Sequence, residues 1–222
     1  MAAVRIVFLG APGTGKGTQA QRLSESFGLT ALSSGDTLRQ EIRDNSAVGR
    51  EAREYVESGR LVPDGIVTRV MLAGIDRLPR ECGFVLDGFP RTVAQAESLE
   101  AGLNRRGTTL DAVIDFRMSD AAIIERIATR RVCSNCGRTY NVRFAPPAVD
   151  GTCDACGAPL TQRRDDSEDV VATRLATYRS QTAPLVEYYS RKGILRAVEA
   201  SRTSPEVEAA VSAIVRELSG AT

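Results

Sequence analysis

The sequence predicts an α/β fold in which a parallel central sheet is flanked by helices and carries two inserted modules. Three observations lead there. Residues 4–9, Val-Arg-Ile-Val-Phe-Leu, form a short β-branched apolar run of the kind found in parallel strands buried on both faces. The run stops at Gly10 and passes through Gly-x-x-x-x-Gly-Lys, residues 10–16, into a helical pattern, which is the strand, loop, helix order of a phosphate-binding loop. Further apolar runs alternate with helical patterns, and the alternation is interrupted in two places, by short polar helices near 36–58 and by a cysteine-rich stretch at 132–166.

Small residues in the first loop let consecutive backbone N–H groups turn inward around an anion. The helix over about 15–27 adds its unsatisfied N–H groups and positive dipole end, and Lys16 brings a full charge to the outer phosphates. The residue after Lys16 is Gly17 and the hydroxyl comes one later, at Thr18, so a direct hydroxyl ligand to Mg²⁺ is not assumed.

A strand at 29–33 leads into Ser34-Gly35-Asp36, where serine and aspartate are natural helix caps. Helices at about 36–44 and 47–58 follow, then a break from Gly59 to Asp64. Asp64 is expected to cap a helix to about residue 78, and 83–87 reads as a second buried strand ending in Asp87. Carboxyl ends of parallel strands are where such sheets bind ligands. The loop Gly88-Phe-Pro-Arg-Thr92 comes next, with Thr92 capping a helix to about 106, and 112–116 is another strand. A helix over 120–131 places Arg126 and Arg130 four apart on one face, where they repel unless an anion lies between them. A long helix over about 168–192 presents Arg174 and Arg179, Gly193 ends it, 194–198 is the last strand, and Pro205 opens a terminal amphipathic helix to about 218.

Between 132 and 166 helical periodicity vanishes. Cys133-x-x-Cys136 and Cys153-x-x-Cys156 are separated by sixteen residues, a spacing suited to a tetrahedral thiolate site. The chain has no histidine, so a bound zinc would have four cysteine ligands and no open position, a structural site. Cys82 lies outside the pattern.

The chain has 222 residues, 42% of them hydrophobic, enough for one large domain with small insertions. Its 29 basic and 28 acidic side chains nearly cancel, which argues against a general polyanion binder. Only Lys16 and Lys192 are lysines, so the positive charge is nearly all arginine, the side chain suited to bidentate phosphate contacts. With no imidazole, a reaction needing a histidine base is excluded. Residues 1–5 run straight into the first strand without a signal-peptide pattern, no stretch approaches membrane-spanning length, and five clustered cysteines fit a reducing compartment, so a cytoplasmic protein is expected.

Gly10-Ala-Pro-Gly-Thr-Gly-Lys-Gly-Thr18, Ser33-Ser-Gly-Asp-Thr-Leu-Arg39, Leu86-Asp-Gly-Phe-Pro-Arg-Thr92 with Gln95, and Arg163-Arg-Asp-Asp166 together resemble the adenylate kinase family, in its long-lid form with a four-cysteine zinc site. The match spans nearly the whole chain; the Asp-Gly-Phe-Pro-Arg motif is much more specific than the phosphate loop. The resemblance implies a P-loop NTPase fold and the reaction Mg-ATP + AMP ⇌ 2 ADP. It further implies a core of 1–32, 63–128 and 167–222, a nucleoside-monophosphate module at 33–62 and a zinc-binding lid at 129–166.

By the same resemblance, Gly13, Thr14, Gly15, Lys16, Gly17 and Thr18, with Arg126, Thr139, Tyr140 and Arg202, would hold ATP. Ser34, Arg39, Arg60, Gly88, Arg91, Gln95, Arg163 and Arg174 would hold AMP, with Gln95 and Ser34 at its base. Lys16, Arg91, Arg126, Arg130, Arg163 and Arg174 would surround the transferring group. Asp87 and Asp166 are candidates for orienting the water shell of Mg²⁺, and Cys133, Cys136, Cys153 and Cys156 would carry Zn²⁺. The expected partners are ATP, AMP and ADP, with no nucleic acid and no membrane, and the chain is expected to be a monomer. Ser34, where bacterial members usually carry threonine, leaves another nucleoside-monophosphate kinase or a GTP:AMP phosphotransferase as the alternative. A zinc-ribbon nucleic-acid module is more remote, because Arg131, Arg138 and Arg143 are accompanied by few aromatics.

Overall fold

A computed structural model describes residues 3–220. The first two and last two residues of the expected core segments, and the side chain of Arg164, lie outside the described residues. Five parallel strands make the central sheet: β1 (Arg5–Gly10), β2 (Thr30–Ser33), β3 (Phe84–Asp87), β4 (Ala112–Arg117) and, after three short strands of the cysteine-rich segment, β8 (Leu195–Glu199). Their order is β2-β3-β1-β4-β8. The chain winds from β1 to one side and later crosses to the other, so the carboxyl end of β1 lies where the winding reverses, the usual ligand position in such sheets.

Side-chain alternation along the strands divides the interior into two layers. Val7, Leu9, Leu86 and Val113 face α4 (Asp64–Asp76), α5 (Val93–Arg105) and α8 (Pro184–Arg191), where Met71, Ile75, Leu99, Leu185 and Tyr189 complete one core. Ile6, Phe8, Val85 and Ile114 face α1 (Lys16–Phe27) and α9 (Ser204–Ser219), where Leu23, Val207, Val211 and Val215 complete the other. A third, smaller cluster joins Ala11 of the first loop to Ile123 and Ile127 of α6 (Asp120–Ala128) and to Val171 and Leu175 of α7 (Glu168–Thr177).

Two segments stand outside this sandwich. Helices α2 (Ser34–Arg43) and α3 (Ala47–Ser58) pack as a pair so tightly that a Cβ on Gly49 would lie 2.0 Å from the Glu41 carbonyl oxygen. The cysteine-rich segment forms a small antiparallel sheet of β5 (Arg130–Cys133), β6 (Thr139–Asn141) and β7 (Leu160–Thr161) in the order β6-β5-β7.

Three local expectations are corrected. The helix expected over 120–131 ends at Ala128, because Asn141 donates to the Arg126 carbonyl (3.0 Å) and Val142 N–H to the Thr129 carbonyl (3.0 Å), drawing the chain into β5. Arg130 therefore lies on a strand and shares no helix face with Arg126. The long helix over 168–192 is broken: Pro184 has no N–H to continue the ladder, the chain widens into a π turn at Tyr178–Thr182, and Ala183 N–H reaches the Tyr178 carbonyl (2.8 Å) before α8 begins. Asp64 is not the cap of α4 but sits in its first turn, with Pro63 before it. Among the described residues no helix is long and apolar enough to cross a membrane.

Candidate active site

A cleft of about 1990 Å³ opens above the carboxyl ends of β1 and β3, bounded by the first loop, the α2–α3 pair, the cysteine-rich sheet and the turn before α9. At its floor the first loop turns on glycines held at positive φ, Gly13 at 87° and Gly15 at 93°, and Gly15 is the N-cap of α1. A Cβ on Gly13 would meet Ile127 Cγ1 at 2.7 Å, so close packing under α6 also requires glycine there. Lys16 folds over the loop, its Nζ donating to the carbonyls of Gly10 (2.7 Å) and Ala11 (2.8 Å) and to Thr14 Oγ1 (3.3 Å). Burial pushes its ammonium down to about 8; Asp87 resists that shift, and Arg91, Arg174 and Arg130 add to it. A Cβ on Gly17 would stand 3.3 Å from Asp87 Oδ2, so the carboxylate abuts the position that lacks a hydroxyl.

Five arginines gather above Lys16, and a sixth lies farther out. Arg91, from the loop after β3, donates through Nε to the Gly88 carbonyl (2.8 Å), and burial lowers its pKa. Arg39, on α2, reaches Asp36 (2.6 Å) and Asp165 (3.7 Å). Arg163 approaches Asp36 at 3.8 Å, and burial, then Arg39 and Arg130, push it down to about 10. Arg174, on α7, donates to the Asp165 carbonyl oxygen (3.0 Å) and approaches the Asp165 (3.3 Å) and Asp166 (3.4 Å) carboxylates. It too is lowered to about 10, chiefly by burial and by Arg130, against the pull of Asp165 and Asp166. Arg130 grips Asp166 through two bonds, one at 2.8 Å. Arg126 stands apart toward the turn before α9, donating to the Arg202 carbonyl at 3.3 Å and lying 5.8 Å from the Phe144 ring.

Lys16 and the five gathered arginines face four carboxylates, Asp36, Asp87, Asp165 and Asp166, so the group carries two positive charges in excess. Burial alone would raise Asp165, but Arg174 and Arg39 hold it below the usual carboxylate range. Desolvated guanidiniums crowded beyond what their acids neutralise make a site for a polyanion.

Other expected site residues are placed less directly. Thr18, Thr139, Tyr140, Gly88 and Arg202 line the cleft, but the Tyr140 hydroxyl accepts from Asp154 N–H (2.8 Å) and contacts Cys153 Sγ (3.4 Å). Ser34 and Gln95 are only 2% and 1% exposed. Ser34 Oγ donates to the Gly88 carbonyl (2.6 Å), and Gln95 Oε1 accepts from Arg91 N–H (2.8 Å), so both sit directly behind the cleft wall. Arg60 turns away from the cleft to Glu54 and the Tyr55 ring. Asp166 is fully enclosed with Arg130 and Arg174 and offers no face for water.

Asp36 and Asp165 were not singled out as site residues from the sequence. The Asp-Asp pair after Arg163 was the available signal, but which arginines it would meet depends on how the inserted segments close.

The four knuckle cysteines are free thiols whose sulfurs all lie within 4.8 Å of one another. Cys133 and Cys156 are 3.4 Å apart and Cys136 and Cys153 3.6 Å, close to the roughly 3.8 Å edge of a tetrahedron with Zn–S bonds of about 2.3 Å. The donor set therefore fits a closed thiolate site.

The sequence model of the adenylate kinase family matches residues 8–194. Curated relatives described as adenylate kinase include one from Moorella thermoacetica, 47% identical over 208 residues and covering 94% of this chain and 96% of its own length. Another, from Thermodesulfovibrio yellowstonii, is 42% identical over 214 residues, 96% of this chain and 100% of the relative. A third, from Carboxydothermus hydrogenoformans, is 44% identical over 208 residues, 94% and 97%. With the phosphate loop, the arginine cluster and the parallel sheet in place, the chain belongs to the adenylate kinase family.

Proposed function

We propose that the chain is an ATP:AMP phosphotransferase, moving the terminal phosphate of Mg-ATP reversibly to AMP to give two ADP. The observation that carries this reading is the gathering of five guanidiniums over Lys16 and the phosphate loop. In the transfer an oxygen of the AMP phosphate bonds to the terminal phosphorus while the bridging bond to ADP breaks. The attacking oxygen is already ionised, so no base is needed, and positioning with positive charge supplies the catalysis. A chain without histidine meets those needs.

Residues 33–62 form the nucleoside-monophosphate module, 129–166 the lid, and 1–32, 63–128 and 167–222 the core. Gly13, Thr14, Gly15, Lys16, Gly17 and Thr18 cradle the donor phosphates, and Arg126, Thr139, Tyr140 and Arg202 line the way to its base. Arg39 and Arg91 grip the acceptor phosphate, and Arg130, Arg163 and Arg174 gather over the group in flight. Ser34, Gly88 and Gln95 meet the acceptor base, whose entry separates the Ser34 turn from Gly88. The placements of Arg60 and Asp166 do not favour direct ligand contact. Asp87, whose carboxylate abuts Gly17, would orient the water shell of the Mg²⁺ that enters with ATP, an ion that would supply neutralising charge to the phosphates. Cys133, Cys136, Cys153 and Cys156 hold structural Zn²⁺. The chain acts as a monomer in the cytoplasm, where cysteines clustered to hold a metal are in keeping with a reducing compartment.

The test is a panel of ATP and GTP as donors against AMP, CMP, UMP and GMP as acceptors. ATP with AMP is expected to be the best pair, with two ADP formed per ATP consumed. Failure to form ADP overturns the activity, and equal use of CMP and UMP removes the base-reading role of Gln95.

A further inference from the structure

The geometry points to Asp64 as the positioning residue that fixes which way round the Gln95 amide faces, and hence to a restriction of the acceptor to bases with an amino group beside an unprotonated ring nitrogen. This rests on the reading of Gln95 as a contact of the acceptor base. Asp64, in the first turn of α4, accepts from Gln95 Nε2 (2.6 Å) and from Thr92 Oγ1 (2.7 Å). The other end of the amide, Oε1, accepts from Arg91 N–H (2.8 Å), and the Gln95 N–H is capped by Thr92 Oγ1 (3.1 Å).

An amide has two N–H groups and two lone pairs. Each end of this one is engaged once among the described residues, leaving one N–H and one lone pair in a fixed order. Rotating the amide by half a turn would set its oxygen against the Asp64 carboxylate and its N–H groups against Arg91 N–H, two repulsive pairs in a buried site.

Adenine, with an amino donor beside an acceptor nitrogen, matches the fixed order. Hypoxanthine, nearly the same in shape, has a carbonyl acceptor beside an N–H donor and matches only the rotated amide. Hydrogen-bonding order, not size, therefore separates AMP from IMP here.

The experiment measures kcat and KM for AMP and for IMP, with ATP as donor, in the unmodified protein, Asp64→Ala, Asp64→Asn and Gln95→Leu. Asp64→Ala removes both acceptor oxygens and should lower the AMP:IMP ratio of kcat/KM at least about tenfold, as expected for loss of a hydrogen bond to a charged group, with KM for ATP unchanged. Asp64→Asn keeps one acceptor and should fall between. An equal loss with both acceptors, or an unchanged ratio in a variant whose melting and ATP binding show it folded, overturns the role of Asp64. If Gln95→Leu also leaves the ratio unchanged, the base-reading assignment itself fails; if Gln95→Leu collapses the ratio while Asp64→Ala preserves it, only the present inference fails.

Discussion

Lys16 shows how much of the chemistry is set at single residues. Its free-protein pKa of about 8 means that at pH 8.5 the side chain is mostly neutral, yet phosphate oxygens replacing the Gly10 and Ala11 carbonyls favour the ammonium. ATP binding should therefore take up a proton above pH 8, and affinity should weaken by up to about tenfold per pH unit there. Calorimetry in buffers of different ionisation enthalpy measures the uptake, and Lys16→Met should remove it along with turnover while leaving the fold intact. The effect on folding has the opposite sense: the unfolded lysine titrates near 10.5, so between about 8 and 10.5 the unfolded state binds more protons and this group adds stability as pH rises. Arg91→Ala should lower kcat by roughly 10³ and raise KM for AMP, because on the proposed reading its guanidinium holds the acceptor phosphate and holds it more strongly as charge spreads in the transition state. An effect on melting alone would make Arg91 structural. The phosphate loop and Arg91 were legible because they lie in contiguous motifs. Asp36 and Asp165 were not, since an aspartate reads as a cap or surface acid until folding sets an arginine beside it.

At the scale of elements, helix and strand identity followed from periodicity, whereas ends depended on partners distant in sequence. Thr92 caps α5 as its position suggests, with Gln95 N–H donating to its hydroxyl, because that signal is local. The end of α6 is decided by Asn141, thirteen residues beyond Ala128, and no pattern within the helix announces it. The same holds for α2 and α3, read correctly as two short helices, but whose contact through Gly49 appears only in three dimensions. A methyl group there would force the two backbones apart, and overpacking of this kind typically costs about 1–3 kcal/mol. Gly49→Ala should lower the melting temperature and raise KM for AMP several-fold, with KM for ATP little changed. An equal rise in both constants would argue against residues 33–62 acting as a separate acceptor module.

For the whole molecule, the two inserted segments meet each other through Arg39–Asp165 (3.7 Å) and Arg163–Asp36 (3.8 Å), charge pairs too long for hydrogen bonds. On the proposed reading, contacts without hydrogen bonds would let the segments part for nucleotide exchange and close to keep water from competing as acceptor. The parallel sheet was foreseeable from five apolar runs, and the small antiparallel sheet was not, because its strands are two to four residues long, too short to show a period. Beyond its two buried cysteines, the apolar cluster of the cysteine-rich segment consists, among the described residues, of Tyr140 with Ala158 and Leu160 packed against it. Segments below about 40 residues with so small a core usually need a metal or disulfide, and the four sulfurs supply the metal site. Zinc bound there would supply folding energy to this segment, while the two apolar layers of the parallel sheet lie outside it and are expected to fold without the metal. One zinc per chain is expected by elemental analysis, with four sulfur ligands by X-ray absorption. Chelation or Cys153→Ala should lower the first melting transition and abolish turnover, yet leave a second, higher transition from the core. A single unchanged transition after metal removal, or a metal whose ligands change when nucleotide binds, would defeat the assignment.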